Sequence, residues 1–357
     1  MVRFLSLFSG IGSFEYAVRD NKDYECVGYS EIDKNAIRVY ESHYPVHRCL
    51  GDVRKITDDT FRELKPDLIV AGFPCTDISC AKTISCSKDK CGLDAGGQSS
   101  LFVELVRAIR ICAEINPNLN ILIENVSSMK KSIKVYITSV LRHVLGTRKI
   151  YMNVICSSHF SVQRRKRMFW TTWDLPENKD DLGKSTMVKP PYFKDIVRHD
   201  KDALATYKYV FKNGPSTNNN LIRCSKGNKK HARKTVTLPA MVWADTNKEW
   251  YKVEDRVYAL TPHVHPYTRY SGDHHRHHSG NPKWRTVCAG ENNRHLVLQK
   301  LGDVFKIRKI TSEEMHACFG LPPDYCDELN GCYTRIVRAL GNSIVVPVLQ
   351  YIISCKK

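Results

Sequence analysis

No run of about 18 uninterrupted apolar residues occurs in the chain, so nothing in it is expected to span a membrane. The amino-terminal MVRFLSLFSG offers only a short apolar stretch, broken by glycine and soon followed by Glu15, which does not read as a signal peptide. Proline and glycine are scarce, 15 and 19 of 357 residues, and 42% of the chain is hydrophobic, which excludes a fibrous or disordered protein. The 14 cysteines lack the spacing of a disulfide framework and read as reduced intracellular thiols. No G-x-x-x-x-G-K-[ST] sequence is present, which argues against a P-loop nucleotidase, and no internal repeat is visible. Acidic residues are under-represented: 37 Asp and Glu against 55 Lys and Arg leave a net charge of +18. Such a field favours an anionic polymer or surface as partner, although a solvated basic face gives the same balance.

What is there has an order. Residues 2–8, 24–29, 68–72, 121–124 and 150–156 are short, largely apolar and partly β-branched, the pattern of buried parallel strands. Helical patterns lie between them, over 34–43, 99–115 and 132–145. The alternation predicts an open, mostly parallel, doubly wound α/β sheet, whose ligands bind outside the carboxyl ends of the strands. Phe8, Tyr29, Gly72 and Glu124 mark those ends. The character changes near Thr172. Residues 181–300 carry 22 Lys and Arg against 10 Asp and Glu, and nine of the 14 histidines. This stretch reads as an irregular, β-rich, basic insertion. Its DHHRHH tract (273–278) reads as a solvated loop. The α/β character returns after Phe305, with a helix expected over 311–319 and a final apolar run over 343–353.

Several strand ends carry chemistry. After the first strand, FSGIGSFE (8–15) places Gly10 and Gly12 where the backbone can turn sharply and approach a ligand ahead of a helix. Glu31 follows the second strand, where a carboxylate can accept both hydroxyls of a ribose, and Asp52 follows the third, where it can hold an adenine amine. One glycine turn and two acids at successive strand ends point to a nucleoside-bearing cofactor. AGFPC ends the next strand with Cys75, a thiol at the edge where a sheet presents reactive groups. A buried structural cysteine is the competing reading. ILIENV then ends a hydrophobic run in Glu124, which must be paired, open to a cleft or protonated. In QRRKR (163–167), Arg165 and Arg167 alternate, so on an extended strand both face one side. Three cysteines after Cys75, at 80, 86 and 91, are spaced by five and six residues and lack the paired C-x-x-C of a zinc site, so no metal is expected.

Residues 8–15, 72–75, 124–126, 163–167 and 341–344, in this order, resemble the signatures of the DNA (cytosine-5) methyltransferases over nearly the whole chain. The resemblance implies a class I S-adenosylmethionine-dependent methyltransferase fold over residues 1–173 plus 305–357, with a basic target-recognition region over 174–304. It implies methyl transfer from S-adenosylmethionine to cytosine C5 in double-stranded DNA by a monomer, through a covalent cysteine adduct on a flipped-out base. Cys75 is then the nucleophile, Glu124 holds the ring N3 and exocyclic amine, Arg165 holds the base carbonyl, and Arg167 supports that site or contacts phosphate. Phe8, Ser9, Gly10, Ile11 and Gly12 shape the methionine and sugar pocket, with Glu31 on the ribose and Asp52 on the adenine. Gly72, Asn342 and Ser343 complete the cofactor set. Two positions depart from the family pattern: Ile32 stands where an aromatic ring is usual, and Thr76 follows the nucleophile where Gln or Asn is usual. The 76–98 loop, basic and glycine-rich, suits a lid over DNA. A tRNA cytosine-5 methyltransferase is one alternative, but its usual Cys-Phe-Thr signature is missing here. A catalytically inactive DNA-binding regulator is the other, although a scaffold needs none of these site residues.

Overall fold

The computed structural model describes residues 1–74, 101–176 and 310–356, with Ile196, Val287 and Ala289 and the backbone of four further strands. In chain order the first part runs β1 (Val2–Leu7), α1 (Ser13–Val18), β2 (Tyr24–Ser30), α2 (Lys34–His43), α3 (Asp58–Leu64), β3 (Leu68–Ala71), α4 (Phe102–Ile115), β4 (Asn120–Val126), α5 (Lys131–Val144), β5 (Tyr151–Cys156) and β6 (Lys166–Thr171). These strands form one sheet in the order β2-β1-β3-β4-β6-β5. Neighbours pair in parallel from β2 to β4, and β6 runs antiparallel to both β4 and β5. The mostly parallel, doubly wound sheet expected from the alternation is therefore present, with one reversed strand.

Two-residue alternation along the strands separates two cores. Phe4, Leu68, Val70, Leu122 and Phe169 face a cluster that includes Phe14 and Val18 of α1 and Val39 of α2. Leu5, Leu7, Ile69, Ala71, Ile121, Ile123, Met168 and Trp170 face the opposite cluster, under α3, α4 and α5. The first cluster is completed from the far end of the chain, by α6 (Ser312–Phe319), α7 (Tyr333–Gly341) and α8 (Val346–Ser354). Trp173 donates its Nε1–H to the Ile352 carbonyl at 3.0 Å, and Arg338 meets Asp33 at 3.2 Å. Chain end and chain start thus share one core. The stretch Tyr333–Ser354 is long and apolar enough to cross a membrane by length and composition, but it consists of two helices separated by residues 342–345 and is 56% buried inside the protein.

A second, four-stranded antiparallel sheet has the order β7 (Tyr207–Phe211), β10 (Val304–Lys309), β9 (Leu296–Leu301), β8 (Tyr258–Leu260). It lies in the segment expected to be β-rich. Its strand β10 runs past the expected boundary at residue 304 and pairs with β9 and β7. Other details also moved. The extended segment expected over 163–167 becomes strand only from Lys166 onward, and α3 and α7 had no counterpart in the periodicity of the sequence.

The helix expected over 311–319 starts where its sequence directs. Thr311 accepts from the Glu314 N–H at 3.2 Å while the Glu314 carboxylate accepts from the Thr311 N–H at 2.8 Å, a reciprocal capping box. Thr311→Ala should lower stability by about 1 kcal/mol, the usual worth of such a cap. Urea unfolding checks this; an unchanged midpoint would mean that packing alone sets the start of α6.

Candidate active site

The turn after β1 is built from backbone conformations that few residues tolerate. Phe8, Gly10 and Gly12 have φ of 56°, 58° and 83°. A Cβ on Gly12 would stand 2.8 Å from Tyr44, so glycine is required there by space as well as by φ. A Cβ on Gly10 would meet nothing within 4 Å, which leaves the backbone at Gly10 open to an approaching group. The turn is tied to the end of β2. Ser9 donates its N–H and its hydroxyl to the Ser30 carbonyl (3.1 and 3.2 Å), and the Gly10 N–H donates to Glu31 Oε2 at 2.8 Å. Glu31 Oε1 also accepts from the N–H groups of Ile32 and Asp33, at 2.7 and 2.9 Å. Below the turn, the Tyr325 hydroxyl donates to the Ile11 carbonyl at 2.9 Å, and the Tyr40 hydroxyl donates to buried Glu15 at 3.0 Å. Burial pushes the Glu15 carboxyl above its ordinary range.

Around this turn the expected cofactor residues take unequal places. Ile32 projects into solvent, 59% exposed, beside Glu31. Asp52 follows Gly51 and binds its own neighbour: both carboxylate oxygens receive Arg54 Nε, at 3.0 and 3.1 Å, and Oδ2 receives an Arg54 terminal nitrogen at 2.6 Å. That hydrogen bonding holds Asp52 below its usual pKa. Asn342 is exposed at the end of α7, whereas Ser343 is buried, its hydroxyl donating to the Ala339 carbonyl at 2.8 Å. Gly72 stands where β3 ends, and a Cβ there would lie 3.5 Å from Glu124 Oε2 and 3.9 Å from Ile344. A nucleoside-bearing group fits this edge on three counts: open backbone at Gly10, a carboxylate fixed by main-chain donors at Glu31, and an exposed apolar side chain at Ile32.

Glu124 sits at the end of β4 with its side chain 13% exposed, and Arg167 Nε meets its Oε1 at 2.9 Å. Val126 pairs with Arg167 and Glu124 with Phe169 across the ladder, which puts Glu124 and Arg167 diagonally on one face. Of the three fates open to this carboxylate, pairing is the one observed. Burial pushes its pKa up, while Arg167 first and Arg165 second pull it down. Arg165 and Arg167 line one crevice with Ile155, Phe169 and Ile344, as their alternation implied, but their guanidinium groups do different things. Arg165 is 4% exposed and donates to the carbonyls of Val287 (2.7 Å), Gly341 (2.8 Å) and Ser343 (3.0 Å). Gln163, fully buried, receives the Val287 N–H at 2.9 Å and donates to the Cys318 carbonyl at 3.1 Å. Arg165 is thus spent on main chain, whereas Arg167 faces the carboxylate.

Cys75 lies outside the described residues, as do the 76–98 loop and the 273–278 tract. The segment that leads to Cys75 is described, and it shows a residue that the sequence patterns did not single out. Asn125, 1% exposed, donates to the Phe73 carbonyl at 3.0 Å and accepts from the Val126 N–H at 2.8 Å, so the ends of β3 and β4 are locked together. A buried amide directly after Glu124 was the available signal, because such a group must find partners. Among the described cysteines, burial pushes the Cys26, Cys112 and Cys326 thiols up to about 12, which marks them as inert.

Comparison with known proteins follows the same geometry. The family model described as C-5 cytosine-specific DNA methylase matches residues 2–356. The type II methyltransferase M.MspI of Moraxella sp. is 25% identical over 355 residues, 98% of this chain and 69% of that one. The orphan methyltransferase M.SPBetaI of Bacillus phage SPbeta is 46% identical over 83 residues, which are 22% of this chain and only 18% of the phage protein. Among solved structures, S. pombe Dnmt2 methyltransferase superposes with a TM-score of 0.60 at 16% identity, covering 99% of this chain and 97% of that one, a likeness of fold.

The opposed influences on Glu124 generate a titration test. Arg167→Met removes the nearest positive charge and leaves burial opposed only by Arg165, so the Glu124 carboxyl should hold its proton to higher pH than in the parent. Carbon-13 resonances of labelled glutamate follow this directly. A midpoint that stayed put or fell would show that Arg167 does not govern the carboxylate.

Proposed function

The chain belongs to the C-5 cytosine-specific DNA methylases, and from that membership we propose that it transfers a methyl group to C5 of cytosine in double-stranded DNA. The observation that carries the reading is the Glu124–Arg167 pair, 2.9 Å apart at the end of β4 and beside Gly72, where β3 and the segment leading to Cys75 separate it from the glycine turn after β1. The family implies S-adenosylmethionine as methyl donor, and that group supplies an electrophilic methyl when bound. Phe8, Ser9, Gly10, Ile11 and Gly12 would cradle it, Glu31 would take its ribose hydroxyls, Ile32 and Asp52 would flank the adenine, and Gly72, Asn342 and Ser343 would close the pocket.

Cytosine C5 is a weak nucleophile, and the protein's contribution is to change that. The Cys75 thiolate adds to C6, forming the Sγ–C6 bond and moving the ring's electron pair toward C5. Glu124, with a carboxyl that burial makes easier to protonate, donates at N3 and so neutralises charge as the adduct forms. Arg167 is better placed than Arg165 to hold the base carbonyl, because Arg165 already serves three main-chain carbonyls. After C5 is methylated, loss of its proton expels Cys75 and restores the ring. A stacked base cannot meet Cys75 and Glu124 at once, so the target base must leave the duplex. All these residues come from one chain, so a monomer suffices. Such an enzyme works where DNA is, inside the cell. The 174–304 segment, with its basic charge and second sheet, would select the sequence around the target.

Bisulfite sequencing of a plasmid incubated with the protein and S-adenosylmethionine tests the reading and reports the target site. Protected cytosines at a fixed motif are expected; a plasmid without them, alongside methyl transfer to transfer RNA, would move the substrate to RNA. Cys75→Ser should abolish transfer while leaving duplex and cofactor affinity nearly unchanged. Glu124→Gln should slow turnover by roughly 10²–10⁴-fold, the usual worth of a general acid. Glu31→Ala should weaken S-adenosylmethionine binding instead. Equal loss of cofactor affinity in both glutamate variants would place one of them in the wrong pocket.

A further inference from the structure

The charge of this protein has a second centre outside the insertion. From Asn125 to Trp173 the chain has no Asp or Glu, against ten Lys and Arg. These 49 residues belong to the α/β domain: they follow Glu124 directly and run through α5, β5 and β6. The topology sorts their charges onto two edges. Lys130, Lys131 and Lys134 lie at the start of α5, just beyond the end of β4, and Lys166 opens β6 at the same edge. Arg142 and Lys149 come after a full helix and lie at the opposite edge. The Ser127 hydroxyl donates to the Lys166 carbonyl at 3.3 Å, which joins the two halves of the first group next to the Glu124–Arg167 pair.

Helix stability does not account for the placement. Cations in the first turn of a helix oppose its dipole, and acidic side chains are favoured there. The first turn of α5 has no acidic residue, and its cap, Lys130, makes no side-chain capping bond. Nor do these lysines serve internal ion pairs. Lys130, Lys131 and Lys166 are exposed and Lys134 is half-buried, and none of the four has an ion-pair partner among the described residues. By contrast, Arg107 and Arg110 on neighbouring α4 each meet a carboxylate.

Four uncompensated ammonium groups beside a catalytic carboxylate form a track for a polyanion. We propose that Lys130, Lys131, Lys134 and Lys166 contact the phosphates of the substrate duplex next to the target cytosine, so that the α/β domain, and not the basic insertion alone, grips the backbone. The inference rests on the reading of the substrate as duplex DNA. Ammonium groups act as point charges on phosphate and carry no base information. The track therefore sets affinity and register, while sequence choice stays elsewhere.

The test compares two sets of charge removals in the full-length protein. One variant carries Lys130→Gln, Lys131→Gln and Lys134→Gln; the control carries Arg142→Gln and Lys149→Gln. Duplex binding is measured across a range of salt concentrations, alongside S-adenosylmethionine affinity and thermal unfolding. The lysine variant should show a log affinity against log salt slope shallower by about 2–3, at about 0.9 for each phosphate no longer neutralised. Its KM for DNA should rise while turnover at saturating DNA, cofactor affinity and unfolding hold steady. The control should keep the parent slope. An unchanged slope in the lysine variant would overturn the proposal, and so would an equal effect per charge in the control, since net charge alone would then explain binding. A parent protein that bound no duplex would overturn the substrate reading together with this one. A parent that bound and methylated duplex with a slope indifferent to the lysines would overturn the track alone.

Discussion

A carboxylate at the end of a buried strand is the constraint around which this molecule is arranged. Glu124 closes a run of apolar residues and would be costly there as a lone charge; breaking a buried ion pair typically costs about 3–5 kcal/mol. Arg167 removes that difficulty at 2.9 Å, but only because β6 runs antiparallel between β4 and β5 and presents Arg167 diagonally across the ladder. The single reversed strand is thus what brings a positive charge to the site. Arg165 and Gln163 immediately precede it, and their grip on residues 287, 318, 341 and 343 draws the distant parts of the chain toward the same edge.

The glycine turn shows the same economy at the end of β1. Phe8, Gly10 and Gly12 hold left-handed backbone that would not persist alone, and the turn is secured from several directions. Ser30 and Glu31 hold it from β2, and Tyr325 holds it from a segment more than 300 residues later. Strain at Phe8 is tolerable because contacts on both sides leave the turn no alternative shape.

The sheet was legible because apolar strands alternate with amphipathic helices, a pattern that depends on neighbours in sequence. Strand ends were legible for the same reason, and with them Gly10, Glu31, Gly72 and Glu124. What could not be read was anything decided by distant partners. The separate duties of Arg165 and Arg167 depend on where Val287 and Gly341 fall in space, and spacing along a strand shows only that both face one side. Asp52 is a similar case: the strand expected before it is reduced to a single bridge between Tyr29 and Cys49, and Arg54 occupies both of its oxygens. Asn125 showed at most that it would need partners, not that one would be the Phe73 carbonyl, 52 residues away. Helix α7 escaped because it is only nine residues long, and its buried face of Ile336, Val337 and Leu340 joins a core assembled from both ends of the chain.

Val287 is held twice: Gln163 receives its N–H and Arg165 donates to its carbonyl, and its side chain is fully buried in the core shared by chain start and chain end. Every residue except proline offers that same pair of main-chain groups, so the hydrogen bonds ask only for a backbone, while the core around them asks for an apolar side chain. The chain is therefore tied back at this point by a fitting that a different sequence would share as long as it kept one small apolar residue there.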